Sequence, residues 1–355
     1  MIKSKKTLMH ALSAAVLLSL SSASFADLVN VSGGTQHASM SWSADDASQL
    51  LNGDMSVSED DDEPSPPGSV TYLSAPPTKT YTTTTTAAAP IQQSVQISDT
   101  NRYLNQPSVS ARAALVMDAN TGEVLYSKNT NTALPIASIT KLMTAVVTAD
   151  ARLNMSEDIM LQSIDFAGAG GKNSSSTLKV GDTMNRAEML LVALMKSENP
   201  AAAALARTYP GGRPAFVAAM NAKARQLGMS STYYTESTGL DPHNISSARD
   251  LGILVSAASQ YGLIRQFSTT AHYDFNLGYR ILKSNNTNAM VRNGGWNINI
   301  SKTGYINEAG RCVVMHTTVN NRPAVVVLLG ASTSQSRTND ATNLLNWVSN
   351  LPKRI

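Results

Sequence analysis

The sequence predicts a mixed α/β domain of the α+β kind, with one antiparallel sheet flanked by helices and a mainly helical subdomain inserted between its strands. Three observations carry this reading. A strand pair opens the ordered region, helical patterns fill its middle, and apolar strands return only near the end. Ala114-Leu115-Val116-Met117 and Val124-Leu125-Tyr126 flank Asp118-Ala119-Asn120-Thr121-Gly122, whose Asp, Asn and Gly favour a turn, so this stretch reads as a hairpin. A helical run follows Ser138. Further helical patterns cover 186–195, 201–207, 214–227 and 248–260. Strands are expected over 296–300, 311–319 and 324–330, and a last helix over 338–348.

The chain has 355 residues, 42% of them hydrophobic, enough to fill a full core. Its beginning has the layout of a secretory signal. Lys3, Lys5 and Lys6 precede an apolar run from Leu8 to Leu20, and Ser24-Phe25-Ala26 offers a cleavage site before Asp27. A retained membrane anchor is the alternative, although the run is short for a spanning helix. Residues 1–26 are therefore read as a signal peptide and the mature protein as periplasmic. A single cysteine, Cys312, excludes an internal disulfide, and its apolar neighbours mark it as a small buried hydrophobe.

Residues 27–108 read as a disordered tether. They hold an acidic run (Glu59 to Glu63), Pro64, Pro66 and Pro67, and five consecutive threonines from Thr82, with few large apolar residues. Ten acids and two bases leave this segment at −8, whereas residues 109–355 carry twenty-three bases and fifteen acids, or +8. A basic domain outside the cytoplasm suits an anionic extracytoplasmic partner such as a cell-wall polymer or a membrane surface, or simply a solvated surface of mixed charge. With 5% aromatic residues and no recognised binding motif, no nucleic-acid partner is expected.

The chemistry concentrates in three short motifs. In Pro135-Ile136-Ala137-Ser138-Ile139-Thr140-Lys141, a serine and a lysine lie three apart at the head of an apolar helix, on one face. A lysine facing a core loses hydration, its pKa falls, and the neutral amine can take the serine's proton. A serine at a helix start also has a free N–H to offer an oxyanion. Ser-x-x-Lys alone is weak, since Ser176 to Lys179 matches it too, in a Gly/Ser-rich loop. Ser197-Glu198-Asn199 falls between two helical patterns, and Lys302-Thr303-Gly304, the single Lys-Thr-Gly of the chain, closes the strand beginning near Trp296. Ser-x-x-Lys, a Ser-x-Asn motif and Lys-Thr-Gly, in this order, form the signature of β-lactamases and penicillin-binding proteins.

With these motifs, the region 109–355 resembles the low-molecular-mass penicillin-binding proteins, the serine D-Ala-D-Ala carboxypeptidase/endopeptidase family. It lies nearest their DD-endopeptidase branch, of the penicillin-binding protein seven type. Ser237-Thr238-Gly239-Leu240, Asn244, Ser246 to Leu251, Asn286-Thr287-Asn288 and Ala309-Gly310-Arg311-Cys312 extend the likeness. Carboxypeptidase relatives usually add a small β domain and an amphipathic C-terminal helix, and this chain stops soon after its last helical pattern. The resemblance implies a β-lactamase/DD-peptidase fold and no cofactor. It implies peptidoglycan cross-links as substrate and β-lactam antibiotics as covalent inhibitors.

It also implies roles. Ser138 would attack a D-alanine carbonyl, Lys141 would act as base, and Ser197 would relay a proton to the leaving amine. Asn199 would bind substrate and position Lys141. Lys302 would supply positive potential, Thr303 would contact the substrate carboxylate, and Gly304 belongs to the same substrate-binding strand. The N–H groups of Ser138 and Tyr305 would form the oxyanion hole. Arg337 stands near where relatives keep a carboxylate-binding arginine, and reads equally as a surface charge. Glu198 occupies a variable position and receives no role. A class A β-lactamase would need a Glu-x-x-x-Asn for deacylation, and none occurs in this chain. The histidines His37, His243, His272 and His316 lack metal-ligand spacing, so no metal is expected. Endopeptidase and carboxypeptidase share one chemistry; the overall resemblance favours the endopeptidase, with a carboxypeptidase first, then a β-lactamase or a non-catalytic wall-binding module, as the alternatives.

Overall fold

The computed structural model describes residues 105–168 and 175–352. The segment read as a signal peptide, and nearly all of that read as a tether, lie outside the described residues. Val109 is already buried, and the N–H groups of Ser110 and Ala111 donate to the Asp340 carboxylate at 2.9–3.0 Å.

The central sheet has five strands: β1 (Ala113–Asp118), β2 (Val124–Lys128), β9 (Asn297–Ile306), β10 (Gly310–Val319) and β11 (Arg322–Ala331). Their order is β2-β1-β11-β10-β9, with each neighbouring pair antiparallel. The first strands of the domain thus pair with the last, as the clustering of apolar runs at both ends predicts.

Alternate residues of a strand point to opposite faces. Leu115 of β1, Val314 of β10 and Val327 of β11 join a core with the helical block. Ala114, Val116, Val313, Val326 and Leu328 join a second core with the C-terminal helix α9 (Ser334–Ser349), through Leu344, Leu345 and Val348. Burial on both faces is why β11 reads as an unbroken apolar run rather than as an alternation.

The helical block follows the strand pair. Helix α1 (Thr140–Asp150) is buried at every position but its last. A helix buried on all sides belongs in a core, and here α3 to α6 pack about it. These are α3 (Arg186–Met195), α4 (Asn199–Arg207), α5 (Gly212–Gln226) and α6 (Ala248–Ala258); the single-turn α2 (Ser163–Phe166) packs on α4. The caps are local and legible. Asn185 and Glu188 form a capping box at α3, and Ser247 accepts from the Asp250 N–H at α6. Two-residue strands β3 (Leu134–Pro135) and β6 (Ile245–Ser246) pair, as do β4 (Asp158–Met160) and β5 (Thr183–Asn185).

Several boundaries differ from expectation. Lys302-Thr303-Gly304 lies inside β9 rather than at its end, because Tyr305 and Ile306 continue the ladder opposite Arg311 and Gly310. Helix α4 starts at Asn199, two residues early, with Pro200 in the first turn where its missing N–H does no harm. Helix α9 starts at Ser334, where Thr333 accepts from the Ser336 N–H. Helices α7 (Gly262–Thr269) and α8 (Ala289–Asn293) and the hairpin β7 (His272–Asn276)–β8 (Ile281–Asn285) were not legible as elements. The hairpin's outward residues are polar and its strands short.

Candidate active site

Ser138 sits in a 3-10 turn, Ala137–Ile139, that runs directly into α1. The sequence suggested an α-helical start, whereas in the 3-10 turn residues i and i+3 eclipse, which still brings Lys141 over Ser138. Ala137, immediately before the serine, has φ of 48°, a conformation L residues rarely adopt. Two contacts hold it there. The Ile136 N–H donates to the Asn244 carbonyl at 3.1 Å. Gly239, itself at φ 87°, lies so close that a Cβ on it would fall 2.0 Å from the Ala137 carbonyl oxygen.

The Lys141 side chain is fully buried. Its Nζ donates to Asn199 Oδ1 at 2.6 Å and to the Thr238 carbonyl at 2.7 Å, and lies 2.9 Å from Ser138 Oγ. The two carbonyl oxygens can only accept; the hydroxyl can accept or donate. A neutral amine has two N–H groups and one lone pair. The carbonyls take the two N–H groups, so the lone pair faces the Ser138 hydroxyl. Burial pulls the Lys141 pKa down to about 7, against the opposing pull of the Glu236 and Glu198 carboxylates.

Ser197 occupies the turn between α3 and α4 at φ 67°, a second strained residue at the site. It receives a hydrogen bond from Lys302 Nζ at 2.8 Å, and the same nitrogen donates to the Thr303 carbonyl at 2.8 Å. Lys302 is buried too. Burial first, then the charges of Lys141 and Arg337, hold it well below the usual lysine range. A bound carboxylate would reverse that pull.

The β9 strand presses against the serine's turn because Gly304 has no side chain. A Cβ there would lie 3.0 Å from the Ile136 carbonyl oxygen and 3.1 Å from the Ser138 nitrogen. Thr303 donates its hydroxyl to Thr287 Oγ1 at 2.6 Å. Tyr305 is 46% exposed, with the Arg311 guanidinium 3.5 Å over its ring. Arg337, on the first turn of α9, is buried and not the surface charge that the sequence also allowed. Burial, then repulsion from Arg311, pulls its pKa below the ordinary arginine value.

The structure therefore joins Ser138, Lys141 and Asn199 in one hydrogen-bonded set, Ser197 and Lys302 in another, and lays Gly304 against the first. Sequence reasoning gave no role to Glu198, yet its buried carboxylate accepts from Ser176 Oγ and Thr177 Oγ1, both at 2.5 Å. Ser176, the decoy serine, thus braces the turn that carries Ser197. Thr287 and the Thr238 carbonyl were also missed. A backbone acceptor leaves no trace in side-chain pattern. Cys312 is buried and its thiol pushed up to about 11, which makes it an inert hydrophobe as expected. His243 is exposed, its ring 2.7 Å from the Asp241 carboxylate.

Residues 100–333 match the family described as D-alanyl-D-alanine carboxypeptidase, peptidase family S11. A D-alanyl-D-alanine endopeptidase of Pseudomonas aeruginosa is 47% identical over 250 residues, covering 68% of this chain and 78% of its own. One of Escherichia coli is 44% identical over 247 residues, covering 69% and 79%. The crystal structure of a Streptomyces DD-transpeptidase superposes with a TM-score of 0.63 at 28% identity, over 69% of this chain and 98% of that one.

Proposed function

Since the chain belongs to the D-alanyl-D-alanine carboxypeptidase family of serine DD-peptidases, we propose that it is a D,D-endopeptidase that opens peptidoglycan cross-links through an acyl-enzyme on Ser138. The observation that carries this is the set of partners around Lys141, two obligate acceptors and one hydroxyl, which leaves a buried amine's lone pair on the nucleophile.

Lys141 takes the Ser138 proton while Oγ attacks the D-alanine carbonyl. The resulting oxyanion is held by the N–H groups of Ser138 and Tyr305. As the tetrahedral centre collapses, the C–N bond breaks and the proton passes through Ser197 to the leaving amine. Lys302 donates to Ser197 and, with Thr303 and Arg337, draws the substrate carboxylate. Water, deprotonated by Lys141, then hydrolyses the ester and returns the proton to Ser138. A β-lactam, whose leaving group stays tethered, would stop at the ester.

Endopeptidase is preferred to carboxypeptidase because both curated relatives above carry the former name. The basic, then apolar, N-terminus supports export to the periplasm, with a signal peptide ending at Ala26 and an acidic tether reaching to Ser108. Among the described residues, no helix is long and apolar enough to cross a membrane.

The test incubates the protein and its Ser138→Ala variant with a fluorescent penicillin, followed by intact mass, and then with purified cross-linked dimer and pentapeptide monomer. A persistent adduct lost in the variant, with the dimer cleaved faster, is the expected result. Faster loss of the terminal D-alanine from the monomer would make the protein a carboxypeptidase; rapid turnover of the penicillin would make it a β-lactamase.

A further inference from the structure

The Thr238 carbonyl takes one of the two N–H groups of Lys141, so something must aim that carbonyl. Backbone at this point is not part of any helix or strand. The aim comes from one side chain. Glu236 accepts from the Thr238 N–H at 2.5 Å and from the Gly239 N–H at 2.6 Å, closing the turn on itself. Its Oε1 also accepts from Asn244 Nδ2 at 2.9 Å. Asn244 in turn bonds Thr140 Oγ1 at 3.1 Å, one residue before Lys141, and its carbonyl holds the Ile136 N–H.

We propose that Glu236 is a positioning residue for the Ser138 reaction: its carboxylate gathers the Thr238 and Gly239 N–H groups and so fixes the Thr238 carbonyl against Lys141 Nζ. The inference rests on Lys141 being the base. Three features set Glu236 apart from a mere loop staple. It reaches the serine's turn from two sides, through Gly239 against Ala137 and through Asn244 against Ile136. It borders a cavity of about 400 Å³ with Asn199 and Thr238, so a change of side chain there does not repack the core. It also places a negative charge near Lys141. The ionisable groups facing Lys141 are Glu236 from this loop, Glu198 from the α3–α4 turn and Lys302 from β9. Farther along the loop, Asp241 is paired with His243.

Both functions of the carboxylate can be separated by a pH profile. The measurement is the acylation rate of benzylpenicillin between pH 5 and 9 (roughly the span over which a lysine lowered this far titrates), on the full protein, Glu236→Gln and Glu236→Asp. The wild type should show an acid limb centred near pH 7. Removing the charge lowers the Lys141 pKa, so in E236Q the limb should move to lower pH by roughly one pH unit. The plateau should fall roughly 10- to 100-fold as the carbonyl loses its aim. E236D keeps the charge one methylene farther back and should shift the limb less, in the same direction. A lowered plateau with the limb unmoved in E236Q would mean a structural role only and would overturn the proposal. Should E236Q fail to fold, an unmoved limb in E236D overturns it equally. A wild type without any limb near pH 7 would instead remove Lys141 as the base, a separate failure read in the same data.

Discussion

Replacing Lys141 with methionine should abolish acylation and, at the same time, remove a specific pH dependence of stability. Lys141 has an ordinary value of 10.5 in the unfolded chain and about 7 in the folded one. Between those two pH values the unfolded state binds the additional proton, so stability must rise as pH rises through this window. Below pH 7 both states carry the charge and the burial penalty is felt in full. From pH 6 to pH 9 the folded lysine gives up its proton while the unfolded one keeps it, a gain of about 2 to 3 kcal/mol at 1.36 kcal/mol per unit of difference. Urea denaturation at pH 6 and pH 9, on wild type and Lys141→Met, isolates this contribution. Titrating groups remote from Lys141 are common to both proteins and cancel, and repeating the pair in a Lys302→Met background removes Lys302, whose pKa the Lys141 charge itself lowers. The wild type should gain that amount relative to the variant. Parallel behaviour of the two proteins would refute the argument that Lys141 is held near neutrality by burial.

Three further outcomes follow from geometry. Gly239→Ala should lose acylation and about 2 to 4 kcal/mol of stability, because its backbone sits at φ 87° and the added carbon would meet the Ala137 carbonyl; wild-type acylation rates would show that the loop does not brace the serine. Thr303→Val should raise KM for D-Ala-containing peptides roughly tenfold with little change in Tm, since a hydrogen bond to a charged group is at stake. An unchanged KM would take the substrate carboxylate away from Thr303. Asn185→Ala should cost about 1 kcal/mol in urea unfolding by uncapping α3, with acylation kinetics unaffected; a neutral result would place the helix start elsewhere.

What the sequence disclosed and what it hid divide along a physical line. Elements built on apolar period or on caps stand close to where the residues put them: the β1–β2 hairpin, α3 and the paired β10 and β11. Hairpin β7–β8 did not announce itself, because His272, Asp274 and Asn276 point outward and break any apolar run. The three motifs marked side chains that the structure brings together, since each needs particular residue types. The parts of the site made from main chain left no such mark. Thr238 contributes a carbonyl, and Glu236 bonds to N–H groups two and three residues ahead in its own loop. A glutamate doing so is indistinguishable, in sequence, from one facing water.

The order of strands in the central sheet bears on how this protein comes into being. β9, which carries Lys302, is held by β10, β10 by β11, and β11 by β1 from the opening of the domain. Such non-local pairing is slow to form, because a long loop must close before any of it is rewarded. A chain still emerging from a ribosome has α1 and its serine, and the β1–β2 pair, long before it has β11 to flank β1 on its other side. Until residues near Ala331 are free, Lys302 has no place beside Ser197. Assembly of the two hydrogen-bonded sets around Ser138 and Ser197 thus waits on the last strands of the domain.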